Sequence, residues 1–134
     1  MSGAAELQIV EYPLRRGLLG AGALALWGNL TEDEDIFNHW YTHEHLPERI
    51  NLPGFHRARR YVRLDGQAGW RYFTLYEVET PETLSSAPYM NVLNVPTPAT
   101  QRCVPMFSDL RRTACRVIHT VACGQGGQCI VHEL

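Results

Sequence analysis

The sequence predicts an α+β fold: one antiparallel sheet with helices on a single face, in the order β-α-β-β-α-β. Three observations predict it. Four stretches of strand length and composition recur along the chain, and the middle two are joined by a short Gly-containing loop, Asp65-Gly66 to Gly69. Two segments open with helix start signals, at Thr31 and at Thr80. Those segments fall between the first and second strands and between the third and fourth. At 134 residues the chain is one domain's worth of sequence, able to bury a core without a disulfide or a metal.

Residues 1–20 read as an N-terminal arm or edge strand, with Leu7 and Ile9 alternating ahead of Pro13. A single domain is expected over residues 21–134. Arg15-Arg16 before an apolar run imitates a secretory signal, but the run is too short to cross a bilayer and a capped helix follows at once. No membrane association and a cytoplasmic location are expected. Ala23 to Leu30 is the first core strand. Thr31 with Glu34 forms a capping-box pattern, and the acids at 32–35 suit the positive end of a helix dipole. This helix is expected to run to about Leu46 and stop at Pro47.

Phe55 to Leu64 and Trp70 to Glu79 read as the hairpin strands. Thr80-Pro81 opens the second helix, broken at Pro88 or at Pro96-Thr97-Pro98, with a further helical piece to about Phe107. Arg111 to Ala122 is the fourth strand. An extra C-terminal strand is expected at Cys129 to His132, after the tract Gly124-Gln125-Gly126-Gly127. The order is the ferredoxin-like pattern, whose sheet has one face free of helices. Ala25, Trp27, Tyr72, Thr74 and Tyr76 are assigned to that free face by alternation. A face so rich in aromatics predicts a homodimer packed sheet on sheet.

Composition removes several function classes. Apolar residues make up 45% and charged residues 19%, which suits a soluble globular chain. All 12 basic residues are Arg, so Schiff-base chemistry, a P-loop lysine and a lysine base are excluded. A net charge of −2 gives no global field for nucleic acid. None of the four cysteines forms C-x-x-C; they are read as reduced thiols, although Cys123 and Cys129 could meet across a hairpin.

The first helix carries the titratable groups. With Ile36 at zero on a regular helix, Trp40, Phe37 and Tyr41 span an apolar arc from about 40° to about 140°. Glu44 then falls at about 80°, inside the arc, with His43 and His45 on its rims. A desolvated Glu flanked by imidazoles is a candidate acid or base, as is His45; a paired Glu44 or an unwinding helix end is the structural alternative. The histidine spacing does not match H-E-x-x-H and the rims diverge, so no metal is expected. Eight of the arginines lie on predicted strands, and Arg57, Arg59 and Arg63 share a face that could hold an anion bidentately or simply form salt bridges.

Phe37-x-x-Trp40-Tyr41-x-x-x-His45-x-Pro47, followed by Leu52-Pro53-Gly54-Phe55, resembles the signature of EthD-like proteins in the dimeric α/β-barrel superfamily. His43-Glu44-His45-Leu46-Pro47-Glu48-Arg49, Arg71-Tyr72-Phe73-x-Leu75-Tyr76-Glu77 and Ser86-Ala87-Pro88-Tyr89 resemble a bacterial branch of it. The resemblance implies a ferredoxin-like fold, a homodimeric barrel, and a ligand pocket between sheet and helices lined by the residue matching His45. That superfamily includes cofactor-free monooxygenases, polyketide cyclases, muconolactone-type isomerases and haem-dependent members. The N-terminal arm and the C-terminal strand depart from the pattern.

Three readings of function follow. In the first, the protein acts without a cofactor on a small aromatic or polyketide-like molecule, by cyclisation, isomerisation, lyase chemistry or oxygenation. Its catalytic residues would be His45, Glu44 and His43; Trp40, Tyr41, Tyr72 and Tyr76 would form an aromatic wall, and Arg59 would hold an anionic group. In the second, the protein is a non-catalytic binding or accessory protein. In the third, it holds haem or a metal.

Overall fold

The computed structural model describes residues 17–122 and 124–134. Four strands, β1 (Gly22–Leu30), β2 (Phe55–Val62), β3 (Tyr72–Val78) and β4 (Phe107–Arg116), form one sheet in the order β2-β3-β1-β4. Every neighbouring pair is antiparallel. Four short helices follow β1 and β3: α1 (Glu34–Trp40), α2 (Leu46–Ile50), α3 (Ala87–Asn94) and α4 (Pro98–Cys103). The predicted order of strands and helical segments is the observed one. The expected N-terminal arm falls mostly outside the described residues, as does Cys123 and with it the pairing of Cys123 and Cys129.

Thr31 does not cap α1. Its amide and hydroxyl both donate to the Met106 carbonyl, at 2.9 and 3.2 Å, tying the end of β1 to the turn before β4. Asp33, in the left-handed region at φ 50°, takes the N-cap place instead, and Phe37 N–H donates to its carbonyl. Nor does Pro47 stop the helix. The backbone passes through a π-helical turn, Tyr41–His45, and Leu46 N–H donates to the Tyr41 carbonyl, five residues back. Widening the turn moves the carbonyl that the proline ring would strike, and the proline, lacking an N–H, sits in the first turn of α2. The second helical segment divides at its prolines, as expected. Thr80 and Thr83 cap a 3₁₀ turn reciprocally, Pro88 enters the first turn of α3, and Thr97 Oγ1 caps α4 by accepting from Thr100 N–H.

Cross-strand register fixes the two faces of the sheet. On the helix-covered face, Arg60, Thr74, Leu26 and Arg112 form one row, and Ala58, Tyr76, Leu24 and Ala114 the next. On the open face, Tyr61, Phe73, Trp27 and Arg111 form a row, followed by Arg59, Leu75, Ala25 and Thr113. Tyr72, Thr74 and Tyr76 therefore do not share the face of Trp27. Sequence alternation cannot relate two strands, because the register between them decides which parity faces which side. A bulge between Phe55 and Arg57 does the same within β2, turning Arg60 rather than Arg59 toward the helices.

The core has two parts. Leu24, Phe55, Tyr76, Val78, Leu84 and Tyr89 pack between sheet and α3. Phe37, Trp40, Tyr41 and Cys103 join α1 to α4, and Leu46 touches both groups.

The expected C-terminal strand is not formed among the described residues. Among the described residues β4 pairs only with β1, whose first residue, Gly22, opposes Arg116. Past Arg116, Val117 N–H donates to the Ala21 carbonyl at 2.9 Å and Thr120 Oγ1 accepts from Leu18 N–H at 2.8 Å, and no further strand is formed among the described residues. The chain turns back over the open face, where Arg59 donates to the Gly126 carbonyl and Arg111 holds Glu133.

Gly54, at φ +84°, makes the turn from α2 into β2, and an added Cβ would lie 2.7 Å from Thr83 Cγ2. Gly54→Ala is expected to lower unfolding free energy by about 1–3 kcal/mol, read as a lower urea midpoint.

Candidate functional site

The helix-covered face of the sheet carries an aromatic cluster. Tyr41 comes from the π turn, and Tyr72 and Tyr76 from alternate positions of β3; all three are buried. Tyr41 Oη donates to Thr74 Oγ1 at 3.3 Å and lies 2.8 Å from Tyr76 Oη, which is left to donate to it. Burial pushes both phenol pKa values up. The His45 ring packs on Trp40 and Tyr41, with centroids 4.7 and 4.8 Å away, and edge-on to Tyr76 at 6.5 Å. Burial first, and the neighbouring Arg49 charge second, lower its pKa to about 3. His45 is thus a neutral ring at physiological pH.

The π turn explains this placement. One extra residue in the turn sets back all that follow by about 100°, which carries His45 from its expected rim position to the centre of the apolar arc. Glu44 and His43 are displaced toward the outside. They line a cleft between α1 and α4, where Thr97 Oγ1 donates to Glu44 Oε2 at 3.0 Å. His43 is exposed and stacks on His39, centroids 4.4 Å apart. Trp40, Tyr41, His45, Tyr72 and Tyr76 are brought together as a wall; His45 and Glu44 are not brought together as a pair.

Arg59 stands on the open face, against the C-terminal segment. Arg60 is the arginine at the aromatic wall. Its guanidinium carbon lies 3.9 Å from the Tyr72 ring centroid, 4.7 Å from Tyr41 and 5.2 Å from Phe37. Nη1 donates to Asn38 Oδ1, while Nη2 is buried with no acceptor among the described residues. Burial also pulls its pKa down. Arg60, Asn38, Thr42, Leu46, Tyr72 and the Glu34–Arg71 ion pair line a cleft of about 460 Å³ between α1 and the β2–β3 edge. The bulge at residues 55–57 is the signal that would have found Arg60, and it is visible only once strands are paired. Among the described residues no three His, Cys, Asp or Glu side chains converge as a metal site, and no helix is long and apolar enough to cross a membrane.

The depressed His45 pKa has a consequence for stability. Between about pH 6.5 and pH 3 the unfolded chain binds a proton at His45 that the folded chain does not. Stability therefore falls as pH drops through that window, by up to about 1.4 kcal/mol per pH unit from this one group. Denaturant titrations from pH 7 to pH 4 are expected to show a shallower loss in His45→Phe than in the unmodified protein. NMR should show the His45 ring neutral throughout that range.

No protein-family profile matches the chain, and no curated protein matches it in sequence. Solved structures do match in shape. An EthD family protein from Bacillus halodurans superposes with a TM-score of 0.53 at 13% identity, covering 75% of this chain and all of that one. A dimeric ferredoxin-like protein from an uncultured marine organism superposes with a TM-score of 0.53 at 12% identity, covering 83% of this chain and 95% of that one. At these identities the likeness is one of fold, and the fold is ferredoxin-like, shared with an EthD family protein as the sequence resemblance implied.

Proposed function

We propose that the protein is a homodimer that binds a small aromatic or polyketide-like anion in the cleft between α1 and the β2–β3 edge. The observation that carries this reading is Arg60. A guanidinium that is stacked on Tyr72 and Tyr41, partly desolvated, and left with a buried N–H that lacks an acceptor is short of one anionic partner. A carboxylate or phenolate on a flat ring would supply the partner and continue the stack. His45 acts here as a neutral ring that holds Trp40, Tyr41 and Tyr76 in place. Proton transfer by His45 together with Glu44 is not part of the reading, since Glu44 lines the α1–α4 cleft and His45 lines neither cleft.

The dimer is supported by the open face. Tyr61, Phe73 and Trp27 lie in one row across three strands, with ring centroids 6.2 and 5.1 Å apart, a surface suited to a second sheet. A protein of similar fold is described as dimeric. The C-terminal segment crosses this face held by exposed polar contacts, which a second sheet could displace or reuse.

2-Naphthoate is a suitable probe. Arg60→Ala is expected to weaken its binding by about 10-fold to 100-fold in isothermal titration, the worth of a charge-assisted hydrogen bond, and Arg59→Ala to leave it unchanged. Equal loss in both variants, or loss only in Arg59→Ala, contradicts the assignment. Light scattering should give about twice the 15.2 kDa of one chain, and Trp27→Asp about one chain's mass.

A further inference from the structure

The C-terminal segment, residues 124–134, is tied to both edges of the sheet. Arg59, on the outer strand β2, donates to the Gly126 carbonyl. Arg111, on the outer strand β4, donates from Nη1 to both Glu133 carboxylate oxygens, at 2.8 and 2.7 Å. β3 and β1 lie between those edges, and on this face they present Phe73 and Trp27. Arg111 in turn stands 5.0 Å from the Trp27 ring and 5.7 Å from Trp70. The segment is thus a strap over the open face, fastened at two arginines. Every one of its residues is exposed, and Ile130 is 82% exposed. Exposed polar contacts are worth little, while fixing a chain segment costs conformational entropy at every residue. An apolar cover on the outer side of the strap, over Ile130, would supply what the polar anchors do not.

A second copy of this chain fits as that cover. A two-fold contact brings the same surface of both copies together, so arginines on that surface meet as like charges unless an anion lies on them. Glu133, seated on Arg111, neutralises that charge within each copy before the sheets meet. The half-buried row of Tyr61, Phe73 and Trp27 continues the same surface, so strap and rings form one apolar face rimmed by paired charge. We propose, building on the homodimer reading above, that residues 124–134 stay on the open face in the dimer and form part of its interface. Ile130 packs on the second copy, and Glu133 screens Arg111. The opposite arrangement, a strap that occupies the face in place of a second copy, predicts a tighter dimer when the strap is released.

Sedimentation equilibrium over a dilution series gives the dimer dissociation constant of the unmodified chain and of two variants, Ile130→Asp and Glu133→Ala. Both replaced side chains are exposed, so neither variant loses a core contact. Each is expected to raise the dissociation constant by about 10-fold or more, Ile130→Asp by placing a charge in the interface and Glu133→Ala by releasing the strap and leaving Arg111 unscreened. A smaller rise in either variant overturns the proposal. A tighter dimer in Glu133→Ala overturns it in favour of a strap that competes with the second copy. An unmodified dimer whose variants are unchanged removes the role of the strap alone, whereas a monomer at every concentration removes the homodimer reading with it.

Discussion

Pro47 lies inside a continuous helical run, and the backbone accommodates it by opening the preceding turn rather than by ending the helix. An ordinary α turn would press the pyrrolidine ring against the carbonyl four residues earlier. With Leu46 bonded to Tyr41 instead, that carbonyl is moved aside, and α2 continues to Ile50. The widened turn also rotates everything after it. His45 enters the core beside Trp40, Tyr41 and Tyr76, and Glu44 leaves for the α1–α4 cleft. The place of Glu44 in that cleft and of His45 against the aromatic rings follows from that rotation.

The aromatic wall then shapes the charge beside it. Tyr41 and Tyr72 offer ring faces to Arg60, and Asn38 on α1 takes one end of the guanidinium. The other end is buried without an acceptor. A cation held against π faces with one donor unused lacks a full set of acceptors, which is the observation that the proposed anion-binding role rests on. The ion pair between Arg57 and the buried Glu77 does a different task on the opposite face. Glu77 Oε1 also accepts from Leu19 N–H at 2.8 Å, so the pair fastens the entry to β1 rather than serving a ligand.

Much of this was legible in the residues. Four strands, their order along the chain, and the breaks at Pro88 and Pro96-Thr97-Pro98 follow from period, turn chemistry and composition. What was not legible depends on relations between segments. Thr31 looked like a cap, but a carbonyl 75 residues away claims its hydroxyl. Trp27 and Tyr76 looked like companions because both alternate correctly, yet register puts them on opposite faces. Arg59 and Arg60 are told apart only by a bulge against β3. On a regular helix His45 and Glu44 would flank one apolar arc, and a single π turn, Tyr41–His45, separates them. The expected strand at Cys129 to His132 is not formed among the described residues, where that segment instead lies against the open face through Arg59 and Arg111.

The rotation at the π turn can be observed without any ligand. Scalar couplings through hydrogen bonds, measured by NMR on labelled protein, identify the carbonyl that each amide donates to. A coupling from Leu46 N–H to the Tyr41 carbonyl is predicted. A coupling from Leu46 N–H to the Thr42 carbonyl would mean a regular helix, which would return Glu44 to the apolar arc and contradict the division of the site into two clefts.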